Sequence, residues 1–121
     1  MRRKADSLVP LEVSILEAAL TLAGRGTAEF HGYLLAQVLK TDADRRTLTA
    51  YGTLYRALHR LEKSGLVESV WEDGALADAE NRPRRKLYRT TAFAHTALAR
   101  VYEERREHRK LRKLQERWGT P

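Results

Sequence analysis

Five of the eight residues from position 82 to 89 are cations: Arg82, Arg84, Arg85, Lys86 and Arg89. One proline and no acid lie among them. Like charges packed this closely call for an external anion. A second basic set lies upstream, where Arg56, His59, Arg60 and Lys63 recur at spacings of three and four. That spacing puts them on one side of a helix, opposite Leu54, Ala57, Leu58 and Leu61. A basic helix beside a basic hairpin is the layout of a winged helix on DNA. The helix start would meet base edges in the major groove, through Ala50, Tyr51, Thr53 and Arg56. Arg56 could bond a guanine through two parallel hydrogen bonds. Tyr55, Arg60 and Lys63 are better placed for phosphates. Arg82, Arg84, Arg85 and Lys86 at the wing suit phosphates or a narrowed minor groove. Arg2, Arg3 and Lys4 could add phosphate contacts from a basic arm.

The elements that must carry these side chains follow from periodicity. Leu8, Leu11, Ile15, Ala19 and Leu22 mark a first helix over 8–22. Pro10 is tolerated in its first turn, and Gly24-Arg25-Gly26 stops it. Thr27 is the expected N-cap of a second helix. Its inner face combines the pairs Leu34/Val38 and Leu35/Leu39 with Phe30 and Tyr33. Gly32 there implies close approach of a neighbouring element. A loop is expected over 41–47, then a third helix from a Thr49 cap to about Ser64, with Gly65 as its stop. Residues 66–72 and 86–90 read as two strands, with Trp71 anchoring the first. The connection of about a dozen residues is expected to be a flexible loop with an acidic middle of Asp73, Asp78 and Glu80. A last helix runs from a Thr90 or Thr91 cap to about Trp118, roughly 40 Å. It leaves so small a domain while still carrying Leu111, Leu114 and Trp118, which implies a partner.

Composition narrows the functional classes. The chain has 121 residues, a formal net charge of +7 and no cysteine. Disulfides, thiolate nucleophiles and cysteine-ligated zinc are excluded. His31, His59, His95 and His108 show no metal-ligand spacing, and no nucleophile or phosphate-loop motif is present, so neither an enzyme nor a cofactor is expected. His31 is expected near a helix start, within reach of a phosphate. No stretch nears the roughly 18 apolar residues of a membrane span. The basic Met1-Arg2-Arg3-Lys4 lacks the apolar core of a signal peptide. The expectation is a cytoplasmic, one-domain protein.

Three stretches resemble the PadR family of bacterial transcriptional regulators. These are His31-Gly32-Tyr33, the TLYRALHRLEKSGL run over 53–66, and Arg85-Lys86-Leu87-Tyr88-Arg89-Thr90-Thr91. The family usually has a Gly shortly after that last Thr, where this chain reads Ala92-Phe93-Ala94. The fold the resemblance implies is mainly α: a winged helix-turn-helix of three helices and a two-stranded wing, with a long C-terminal dimerisation helix. The organisation is then a basic arm over 1–7, a DNA-binding domain over 8–91 and the dimerisation helix over 92–118. The resemblance further implies a homodimer on an inverted-repeat double-stranded DNA operator, usually repressing. In the branch with one C-terminal helix, that helix joins the first in dimerisation, here through Leu11, Ile15, Leu98, Val101, Tyr102, Leu111, Leu114 and Trp118. Some family members bind planar aromatic effectors between subunits, for which Trp118, Tyr102 or Trp71 could form a floor. An alternative is an interaction module whose basic face binds an acidic protein.

Overall fold

The computed structural model of the protein describes residues 7–41 and 51–119. The elements run α1 (Pro10–Gly24), β1 (Phe30–His31), α2 (Gly32–Thr41), α3 (Tyr51–Lys63), β2 (Val67–Trp71), α4 (Gly74–Ala79), β3 (Lys86–Thr90) and α5 (Ala92–Trp118). The arm over 1–6, the loop after Thr41, the Thr49 cap and Ala50 lie outside the described residues.

Three helices and a small sheet enclose one core. Ile15, Leu16, Leu35, Leu54, Leu58 and Leu61 are fully buried in it. Pro10 sits at the start of α1, where its missing N–H would be unpaired in any case. Gly65 takes the left-handed conformation after α3 (φ +81°), so the Leu66 N–H can bond the Leu61 carbonyl at 3.0 Å. The sheet has the order β1-β3-β2, all antiparallel, with Ser69 opposite Tyr88 and Phe30 opposite Tyr88 on the other edge.

Five sequence expectations need correction. The wing sheet has three strands instead of two, because β1 pairs with β3 and stacks Phe30 on Tyr88 with ring centroids 6.1 Å apart. That extended segment also displaces the Thr27 cap. α2 starts at Gly32, and His31 does the capping: its Nδ1 accepts from the Leu34 N–H at 3.1 Å. Tyr33 is 57% exposed, because a start at Gly32 turns it away from the core. The acidic middle of the wing is a short helix, α4, whose Asp73 cap accepts from the Ala75 N–H at 3.0 Å. Trp71 is 58% exposed at the end of β2, so it is not buried as an anchor, whereas Val67 at the start of the strand is.

Thr91 precedes α5 and ties its start to the rest of the domain. Its hydroxyl donates to the Gly65 carbonyl at 2.6 Å, and its N–H donates to the Leu66 carbonyl at 3.0 Å. Ala94 and Leu98 are buried against the core and Val101 partly so, whereas every residue from Tyr102 to Gly119 is exposed. At about 100° per residue, Leu111, Leu114 and Trp118 lie roughly 130° around the helix from Ala94, Leu98 and Val101. The outer apolar stripe therefore faces away from the domain's own core.

Candidate nucleic-acid interface

The exposed side of α3 is a narrow strip, because four buried residues fix its rotation. Leu54, Ala57, Leu58 and Leu61 are all at 0% exposure. Their burial turns Gly52, Arg56, His59 and Lys63 outward. The Arg56 guanidinium folds back along the helix, donating from Nη2 to Thr53 Oγ1 at 3.2 Å. It lies 3.5 Å from where a Cβ on Gly52 would stand, so its charge covers the first turn of α3. Tyr51 and Tyr55 flank this strip at 49% and 43% exposure. The Tyr55 ring lies against Gly32, whose missing Cβ would fall 2.3 Å from the Tyr55 hydroxyl. Gly32 is thus where α2 and α3 come close, as its place in the sequence suggested.

Arg60, expected near phosphates, is paired within the subunit. Its Nε donates at 2.9 Å to Oε2 of Glu12, a fully buried carboxylate on α1 whose Oε1 accepts from the Val9 N–H at 3.0 Å. A buried carboxylate needs such donors, so Arg60 is held against α1.

The helix and the wing are joined by Glu62, which accepts from the Ser69 hydroxyl on β2 and pairs with Lys86 on β3 at 3.5 Å. The Ser69 hydrogen bond, aided by Lys86, holds the Glu62 carboxyl below its ordinary pKa. Lys86 also stands 5.7 Å from the Tyr88 ring centroid.

The basic run of the wing is less free than its sequence suggests, because the fold brings acids to it. Arg82 binds both oxygens of the buried Glu72 and donates to Glu80 at 2.7 Å, which leaves its side chain 17% exposed. Arg82, expected at a phosphate, is thus bound within the wing to two acids. The Arg82 bond, followed by that from the Arg85 N–H, holds the Glu72 carboxyl below its ordinary pKa. Arg84 donates from Nε to the Glu72 carbonyl at 3.0 Å and lies across Gly74, with the rest of the side chain outward. The Arg85 guanidinium points to the ring of His31. Arg89 is paired with Glu68 at 2.6 Å and with Glu29 at 3.6 Å.

Two of the residues expected at a dimer seam lie inside the subunit. Ile15 and Leu98 are core residues at 0% and 4% exposure, because the apolar stripe of α1 and the first half of α5 pack on each other and on the sheet. Leu11 and Val101 are partly buried on the same core. The Tyr102 hydroxyl donates to Glu17 at 2.6 Å. Leu111, Leu114 and Trp118 are 58%, 50% and 77% exposed. A cleft of about 550 Å³ lies between the start of α1 and the middle of α5, lined by Leu8, Val13 and Val101 and by the charged stretch Glu104, Arg105, His108, Arg109 and Arg112.

Among the described residues no group of three or more His, Cys, Asp or Glu could hold a metal, and no helix is long and apolar enough to cross a membrane. The family model described as the transcriptional regulator PadR-like family matches residues 20–100. Similar solved structures include the following three. A transcriptional regulator from Clostridium thermocellum is 22% identical at a TM-score of 0.65, covering 85% of this chain and 86% of that one. A PadR family transcription regulator from hypervirulent Clostridium difficile R20291 is 20% identical at 0.60, covering 89% and 96%. A PadR family transcriptional regulator from Eggerthella lenta DSM 2243 is 28% identical at 0.54, covering 87% and 83%. Comparison with curated proteins gives no significant match.

Proposed function

The chain belongs to the PadR-like family of transcriptional regulators, whose members are not enzymes, and on that premise we propose that it is a homodimeric repressor of an inverted-repeat operator. The observation that carries this reading is the joining of α3 to the wing through Glu62, Ser69 and Lys86. A rigid connection lets one subunit hold a base-reading helix and a phosphate-gripping wing at a fixed separation. Tyr51, Thr53 and Arg56 read base edges, with Ala50 adjoining them in the sequence. Lys63, Arg84 and Arg85 meet phosphates. The exposed stripe Leu111, Leu114 and Trp118 pairs with its copy on a second subunit, which places two α3 helices in successive major grooves about 34 Å apart.

An effector with a planar apolar body and an acidic group suits the cleft between α1 and α5, where Leu8, Val13 and Val101 meet three arginines that outnumber the one acid, Glu104. A molecule there touches both the domain and the helix that would carry the dimer, so its binding alters the spacing of the two α3 helices.

Selection of bound sequences from random duplexes, followed by titration of the winner over a range of salt, tests the reading. The expected result is a palindrome bound with a steep loss of affinity as salt rises. No enrichment and no salt-dependent duplex binding would turn the assignment towards a module for an acidic protein partner.

A further inference from the structure

His31 and Arg85 approach each other across the join between α2 and the wing, and neither accepts a hydrogen bond from the other. The Leu34 backbone N–H donates to His31 Nδ1 at 3.1 Å. An amide N–H can only donate, so Nδ1 is bare and the neutral ring carries its proton on Nε2. Nε2 stands 3.3 Å from Arg85 Nη1, and a guanidinium nitrogen is also only a donor. Two N–H groups therefore converge with no acceptor between them.

The surroundings do not supply one. Burial first, then the charges of Arg85 and Arg82, lower the His31 pKa, so the ring stays neutral. The Glu72 carboxylate nearby already accepts from Arg82 through both oxygens and from the Arg85 N–H at 2.9 Å. Among the described residues no carboxylate pairs with the Arg85 guanidinium. Tyr33 stacks on the His31 ring, with centroids 6.2 Å apart and planes at 21°. Tyr55 of α3 abuts Gly32 beside it. The notch so formed lies between the exposed strip of α3 and the wing.

We propose that His31 Nε2–H and the Arg85 guanidinium form a phosphate notch, which takes one phosphodiester of the duplex between the stretch read by α3 and the stretch touched by the wing. Two donors on different elements, one of them permanently charged, suit an oxyanion with lone pairs in several directions. The proposal rests on the DNA-binding reading above and adds a residue, His31, that carries no charge when it makes its contact.

The test pairs two variants with a modified duplex. His31→Ser keeps an N-cap acceptor for Leu34 and removes the Nε2 donor. Arg85→Gln removes the charge and leaves the cap untouched. On the selected operator, replacing single phosphates by neutral methylphosphonates should reveal one position per half-site that weakens wild-type binding about tenfold. Each variant should bind the unmodified duplex weaker by a similar factor and be indifferent to the modification at that position. Arg85→Gln should also lower the salt slope by about 0.9, the value for one phosphate. If both variants keep wild-type affinity and sensitivity while the wild type binds in a salt-dependent way, the notch is overturned and the DNA reading stands. A wild type with no salt-dependent duplex binding sinks both. Titration with inorganic phosphate forms the remaining arm. Saturation of the His31 ring signals by free phosphate, with unchanged DNA binding by the variants, would assign the notch to a small anion and overturn the duplex contact.

Discussion

The exposed strip of α3 and the 82–86 run of the wing are both rich in cations, yet the fold treats them oppositely. On α3, Arg56, His59 and Lys63 point outward, and the acid nearest in sequence, Glu62, sits on another side of the helix facing the wing. In the wing, Arg82 is enclosed by Glu72 and Glu80, Lys86 is tethered to Glu62, and only the outer parts of Arg84 and Arg85 remain turned outward. Cation density along the chain therefore does not measure the charge offered to a partner. What decides it is whether the fold returns a carboxylate from elsewhere. A buried carboxylate such as Glu72 recruits its donors wherever they lie.

This contrast is most sharply broken by Arg56→Ala. If α3 reads bases, the variant should lose about 1–3 kcal/mol at one base pair of the operator, roughly 5- to 150-fold, with that position relaxed in a fresh selection. Its melting temperature should not move, since Arg56 is exposed and bonds only Thr53 within its own helix. Equal loss on all sequences would mean that α3 grips phosphate like the wing.

Arg82→Ala should show the reverse pattern. Here the melting temperature falls by several degrees, and operator affinity drops because the wing loosens. The pH dependence separates the cause. Bonds from Arg82 and Arg85 depress the Glu72 pKa below its ordinary 4.5. A depressed carboxylate contributes stability that is complete above its unfolded pKa and is lost as pH falls through its folded pKa. Wild-type thermal stability should therefore decline as pH drops below about 4.5, and Arg82→Ala should flatten that decline. Adding Glu72→Gln to Arg82→Ala should recover part of the melting temperature, because the stranded charge is gone. An Arg82→Ala variant as stable as wild type would return Arg82 to the DNA-contact class.

Arg84→Gln comes next in size. It should weaken binding to all duplexes by a similar factor and lower the salt slope by about 0.9, with no change in base preference. A variant with an unaltered slope would show that its bond to the Glu72 carbonyl is its whole role.

How much of this was legible beforehand depends on how local each determinant is. The buried face of α3 and the bounds of β3 were readable, because burial at spacings of three and four, and a short β-rich run before a Thr-Thr pair, are local patterns. β1 is two residues long and leaves no alternation to detect; Phe30 looked like a helix residue because it is apolar. α4 was hidden by its six-residue length and its starting Gly74. The roles of Arg82 and Arg60 depend on Glu72 and Glu12, which lie 10 and 48 positions away. Nothing in their immediate neighbours marks that pairing. A glycine inside a helical segment points to a close approach at Gly32, but its partner, Tyr55, lies on another helix and is marked by no local pattern. The N-cap role of His31 is not legible from sequence, because histidine is not among the usual capping residues.

Lys86 gives the smallest expected effect and the finest distinction between the two regions. It touches both: its amine pairs with Glu62 of α3 at 3.5 Å, yet its backbone belongs to β3. Both side chains are about one-third exposed, and an ion pair so screened contributes no more than about 0.5 kcal/mol. Lys86→Ala should therefore shift stability within that range, because the Ser69 hydroxyl still holds Glu62 and the helix-to-wing link survives. Ser69→Ala should cost more, since Glu62 then keeps only the screened partner. A double-mutant cycle between Lys86 and Ser69 measures their coupling through Glu62. Additive losses would mean that the two contacts hold the helix independently. A larger loss in the double variant would show that Glu62 needs either one, but not both, to keep α3 and the wing in register.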